Sequence, residues 1–113
     1  MSSNTLQLAE SKNSKNYIAV DLIALKKSAL TLRALNHKLR QQILRLIADS
    51  GTMPVTDIYV KLRLEQSVAS QHLAILRKAG FVKTKREGKF IYYSPNLVRI
   101  RQINQITQTL AGN

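Results

Sequence analysis

From Tyr17 onward, apolar residues recur at Ile18, Leu22, Leu25, Ala29 and Leu32, spaced by four, three, four and three. That spacing lays one apolar seam along an amphipathic helix ending near Leu35. The seam serves either as a core stripe within one chain or as the contact between two chains. Asn36 is placed to cap a second helix, in which Leu39, Ile43, Leu46 and Ile47 share a face and the run Asp49 to Gly51 supplies a stop. Pro54 suits the first turn of a short third helix reaching Leu62, with Val55, Ile58 and Leu62 inward. After the short loop "RLEQ", a fourth helix is predicted from Gln66 to Ala79, and Gly80 stands where a left-handed C-terminal cap belongs. Its buried side is Ala69, Leu73 and Leu76, at i, i+4 and i+7.

The period then changes. "FVKTKREGKFIYYS" alternates as two strands, Phe81 to Arg86 and Lys89 to Ser94, joined at Glu87 and Gly88, where glycine takes a positive φ. Ser94 and Pro95 offer a cap and a first-turn proline for a last helix carrying the stripe Leu97, Ile100, Ile103, Ile106 and Leu110. Apolar stripes at both ends of a small domain are hard to bury internally. Ile18, Leu22 and Leu25 of the first helix, with those five positions of the last, are therefore the expected interface of a two-fold homodimer. Residues 1–16, rich in Ser, Asn and Lys, hold little that offsets the entropy of ordering and are read as a flexible tail before a single domain at 17–113.

Composition narrows the partners. Eighteen Lys and Arg against six Asp and Glu give a formal charge of +12, which favours polyanions. Nucleic acid is the commonest of these. A membrane surface is not the expected partner, because no segment joins a long basic face to a bulky apolar face with aromatic anchors. The absence of Cys excludes disulfides, thiolate zinc sites and thiol redox sensing. With no signal-peptide core and no run of eighteen apolar residues, a cytoplasmic, nucleoid-associated protein is expected.

The candidate chemistry lies between Glu65 and Tyr93. Burying Ala69, Leu73 and Leu76 leaves Gln66, Ser67, Ser70 and Gln71 outward, where small hydroxyls and amides can approach base edges while the helix N-terminus faces phosphate. Ordinary solvated surface is the plainer reading of those side chains taken alone. The hairpin that follows shifts the balance: Lys83, Lys85, Arg86 and Lys89 crowd its tip, where a counter-anion relieves their mutual repulsion. Beside a helix in the major groove, that hairpin is a wing able to hold flanking phosphate or the minor groove. His37 has no nearby carboxylate or thiol in sequence and is read as a surface residue. His72 is read either as orienting its helix by hydrogen bonding or as approaching DNA. Enzymatic chemistry has no support from paired carboxylates, Ser-His-Asp spacing or a glycine-rich phosphate loop.

"LRALNHKLRQQILRLIADSG", "VTDIYVKLRLEQSVASQHLAILRKAGFV" and "KREGKFIYY" resemble successive parts of the ArsR/SmtB-type winged helix-turn-helix repressors over about Leu32 to Tyr93. The resemblance implies a mainly α fold with a small β-hairpin: about five helices and a two-stranded wing, with a dimer built through the terminal helices. It implies a bacterial regulator binding double-stranded DNA at an inverted repeat. The recognition helix would lie near Gln66 to Arg77, taking in His72 and Arg77, and the wing near Lys83 to Tyr92. Members that sense metal through a Cys-x-Cys pair have it where this chain has Pro54 and Thr56, and "LVRIRQINQITQTLAGN" holds no Asp, His or Glu for a zinc site between C-terminal helices. No metal or cofactor is expected. Glu65 stands where the family usually has a Ser-like cap; a carboxylate can cap, at some cost near phosphate. The leading reading is a sequence-specific DNA-binding regulator, a repressor by family habit, acting on a near-palindromic operator. Its alternatives are a winged-helix protein-interaction module and a sequence-indifferent nucleic-acid binder. The operator and any small-molecule or protein effector are not legible.

Overall fold

The structure, a computed structural model, describes residues 4–112. The chain divides into two compact units, with the boundary between Leu32 and Arg33. In the first, strand β1 (Thr5–Ala9) runs antiparallel to β2 (Tyr17–Asp21), and helix α1 (Leu22–Leu35) follows directly, its last three residues falling in the second unit. This corrects two expectations. Thr5–Ala9 is a paired strand rather than flexible tail, and the helix starts five residues later than Tyr17. The physical reason is cross-strand pairing: Leu6 opposes Val20 and Leu8 opposes Ile18, so four aliphatic side chains share one face of the hairpin. Asp21 ends the strand and starts the helix, its Oδ1 accepting the Ala24 N–H at 3.0 Å. Residues 1–3 of the expected tail and residue 113 of the expected domain lie outside the described residues.

The second unit holds α2 (Lys38–Ser50), β3 (Met53–Pro54), α3 (Val55–Lys61), α4 (Gln66–Lys78), β4 (Val82–Glu87), β5 (Phe90–Pro95) and α5 (Leu97–Leu110). Its core is built from Ile43 and Ile47 of α2, Ile58 of α3, Leu73 and Leu76 of α4, and Phe81, all fully buried. Ile103 of α5 and Val82 close the same core. The sheet has three strands in the order β3-β5-β4, all antiparallel. The two-stranded wing is therefore anchored by a third strand that the periodicity did not disclose. Pro54, expected in the first turn of α3, pairs with Tyr92 in β3 and precedes the helix in extended conformation. Its place on an edge strand tolerates the missing N–H.

Local chemistry sets the remaining ends. The residue before α2 is His37 rather than Asn36, and its side chain makes no capping bond. Gly51, at φ +79°, stops α2 as its sequence position implied. Gly80, at φ +86°, ends α4 in a Schellman arrangement: its N–H donates to Arg77 O at 3.0 Å, and the Phe81 N–H to Leu76 O at 2.9 Å. The cap of α5 is Asn96, whose Oδ1 accepts the Arg99 N–H at 3.3 Å. Ser94 and Pro95, expected to start that helix, instead finish β5 opposite Lys83 and Val82.

Candidate nucleic-acid interface

Helices α3 and α4 are joined by Leu62 to Glu65, a helix-turn-helix connection in which Arg63 takes φ +55°. A non-glycine residue in that region is uncommon and stays there only because the packing on both sides fixes it. Leu62 and Leu64 are half-buried on either side of it, and the Leu64 N–H donates to Tyr59 O at 2.9 Å. The turn thus leaves the Lys61 and Arg63 side chains in solvent beside the start of α4. Neither cation is among the site residues expected from the sequence, although their place inside a short interhelical turn was the available signal.

Because Ala69, Leu73 and Leu76 are wholly buried, the opposite face of α4 is fixed. Gln66, Ser67, Ser70, Gln71 and Arg77 are all exposed, with Ala74 and Lys78 completing that side of the helix. The Glu65 side chain makes no capping hydrogen bond, so the capping role allowed for it is not taken up. His72 stands apart from this surface. It is half-buried, its Nδ1 lies 3.2 Å from Arg40 Nη1 of α2, and its ring centre lies 5.0 Å from that of His37. Of the two roles read for His72, hydrogen bonding is the one for which the geometry shows a partner within the chain. Burial, then the positive fields of His37 and Arg40, hold its pKa below the ordinary histidine value.

The wing presents its cations on two faces. Lys83 and Lys85 alternate onto one face of β4 with Glu87, opposite Ser94, Tyr92 and Phe90, whereas Arg86 turns to the other face opposite Ile91. Gly88, at φ +62°, and Lys89 form the two-residue connection, one position later than expected. Lys83, Lys85, Arg86 and Lys89 are exposed, while Tyr92 is half-buried. Glu87 lies 3.5 Å from Lys85, an exposed ion pair of small energetic weight, and Lys89 lies 5.6 Å from the centre of the Phe90 ring. The tip therefore keeps a net positive charge facing solvent.

The expected dimer residues divide by burial. On the hairpin and α1, Ile18 and Leu25 are exposed and Leu22 is half-buried. On α5, Leu97, Ile106 and Leu110 are exposed, Ile100 is half-buried, and Ile103 is only 7% exposed because it fills the chain's own core. Among the described residues, no three His, Asp or Glu side chains gather as a metal site, and no helix is long and apolar enough to cross a membrane.

A family model described as bacterial regulatory protein, arsR family, matches residues 37–84, from the start of α2 into β4. A protein of Methanocaldococcus jannaschii named as an uncharacterized HTH-type transcriptional regulator, MJ1325, is 36% identical over 84 residues, which span 74% of this chain and 94% of that protein. The transcriptional activator HlyU of Vibrio cholerae is 31% identical over 74% of this chain and 77% of its own length. Among solved structures, the transcriptional repressor PagR of Bacillus anthracis superposes with a TM-score of 0.60 at 31% identity, covering 80% of this chain and 99% of that one.

Proposed function

Since the chain belongs to the arsR family of bacterial regulatory proteins, a family of DNA-binding transcription regulators, and has no cysteine with which to sense metal, we propose that it is a repressor that binds a near-palindromic operator as a homodimer. The observation that carries this reading is the division of chemistry within one compact unit. Helix α4 turns amides and hydroxyls outward, while the neighbouring wing exposes four cations. Amides bond bidentately to adenine and hydroxyls to either kind of base, so α4 is suited to base edges in the major groove. Lys83, Lys85, Arg86 and Lys89 neutralise phosphate irrespective of sequence. A two-fold dimer sets two recognition helices about one DNA turn apart, which is why the operator is read as near-palindromic.

The test is binding of the purified protein to the DNA upstream of its own gene and to a scrambled duplex of equal length, over a range of salt. The reading expects dimer-stoichiometric binding to the native fragment with a wide margin over the scramble. Equal affinity for both, fading steeply with salt, would leave a sequence-indifferent electrostatic binder. No binding to either, with capture of an acidic protein instead, would favour an interaction module. Repression follows if the bound fragment overlaps a promoter and transcription in vitro falls on adding protein. A rise would make the protein an activator, as HlyU is named.

A further inference from the structure

Arg40 is buried at 8% exposure, yet its charge is met without a carboxylate. The ion pairs among the described residues join Arg45 to Asp49 and Lys85 to Glu87, both on the surface. The Arg40 guanidinium instead donates from Nε to Ala34 O at 2.5 Å and from Nη2 to Arg33 O at 3.2 Å, at the last turn of α1. Those carbonyls are the negative end of a helix dipole, a suitable seat for a buried cation. Its remaining arm, Nη1, meets His72 Nδ1 of α4 at 3.2 Å. A guanidinium offers donors only and keeps its proton, so Nδ1 must be the acceptor and the imidazole must be neutral, with its hydrogen on Nε2. All of these residues lie in the second unit.

We propose that Arg40 and His72 form a proton-sensitive tie that positions the recognition helix, closed while the His72 imidazole is neutral and opened when it takes a second proton. Protonation removes the acceptor and sets an imidazolium against the Arg40 guanidinium, which cannot yield its own charge. The groups whose charge acts on His72 are His37, at the head of α2, and Arg40, within it; both are cationic when charged, so neither rewards protonation. The depressed pKa of His72 agrees with that arrangement and sets the sign. The unfolded chain takes up this proton at a higher pH than the folded one. Stability linked to His72 is therefore fully present above the ordinary histidine pKa and is lost as pH falls through the lower folded value. Arg40 and His72 are positioning residues: they act on base reading through the seat of α4, and that consequence rests on the operator reading given above.

The experiment is nitrogen-resolved NMR of the full-length protein from pH 8 to pH 5, joined to DNA binding over the same range. The tie requires the His72 proton on Nε2 at high pH and a titration midpoint below that of an ordinary histidine. The amides of Gln66–Lys78 should shift at that same midpoint. In His37→Asn the midpoint should rise and the coupled shift persist; in His72→Asn, which keeps a non-titrating acceptor near the Nδ1 position, the pH-linked shift of α4 should vanish. The ratio of native-fragment to scramble affinity should fall about tenfold as His72 protonates, the loss of roughly one charge-assisted hydrogen bond. It should stay level with pH in His72→Asn. A proton on Nδ1, or α4 amides unmoved across the midpoint, would overturn the tie itself. Absence of discrimination at every pH would instead sink the operator reading, with the NMR result still deciding the tie.

Discussion

At the scale of single residues, on the proposed operator Gln66 and Ser70 would differ from Lys89 in what each can tell one duplex from another. An amide or hydroxyl aimed at a base edge gains energy only on the matching sequence, whereas an ammonium on phosphate gains it everywhere. Gln66→Ala and Ser70→Ala should therefore each lower affinity for the native fragment by about 1–3 kcal/mol while leaving scramble binding nearly unchanged. Titration of both duplexes at one salt concentration checks this, and equal losses on the two would contradict the assignment. Gly80 carries a different burden. At φ +86° it closes α4, and an added Cβ would stand 3.3 Å from Arg99 Nε, whose own N–H reaches Ala79 O at 3.3 Å. The left-handed conformation alone costs a side chain about 1–2 kcal/mol. Gly80→Ala should lower unfolding stability by at least that amount in urea denaturation, with DNA affinity falling only as the fraction folded falls.

At the scale of elements, α5 carries both a core residue and exposed apolar ones. Ile103 faces the core of its own unit, while Ile106 and Leu110 stand in solvent beside an open groove also lined by Arg99, Gln102, Gln105 and Thr109. Ile103→Ala should cost about 2–4 kcal/mol of stability through the cavity it leaves. The pair Ile106→Lys with Leu110→Lys should leave the melting transition of the monomer in place and shift sedimentation toward the single-chain mass. If that double variant stays dimeric, α5 is not the contact. Why one stripe splits this way was only half legible in the sequence. Spacing disclosed α2, α4 and α5 and the glycines that end two of them, because a local period reports which face is apolar. It does not report what covers that face, so Ile103 and Ile106 read alike. The same limit hid the N-terminal hairpin: Ile18 continues the helical spacing of Leu22 and Leu25, and only its pairing with Leu8, ten residues earlier, makes it a strand residue. β3, two residues long and paired to Tyr92 and Tyr93, left no period at all. On α4 and the wing the exposure of the candidate residues was legible, because the local period decides which side chains face outward. His72 stayed open between two roles because Arg40, its partner, lies thirty-two residues away.

At the scale of the whole molecule, a charge of +12 on 113 residues makes salt the natural instrument for separating holding from reading. Each phosphate neutralised releases condensed counterions, and the logarithm of affinity falls with the logarithm of salt in proportion to the number of such contacts. Four wing cations in each protomer, Lys83, Lys85, Arg86 and Lys89, give eight in a dimer and a slope of about −7 if all of them meet phosphate. Lys89→Ala should flatten that slope by about 2, since a two-fold dimer loses the contact twice, and it should do so equally on native and scrambled duplexes. A monomer bound to one half-site would lose only about 1. The same titration thus counts wings as well as contacts. If Lys89→Ala left the slope unchanged, the tip of the wing would stand clear of the duplex, and the phosphate-holding cations would have to be sought at the turn of the helix-turn-helix, at Lys61 and Arg63.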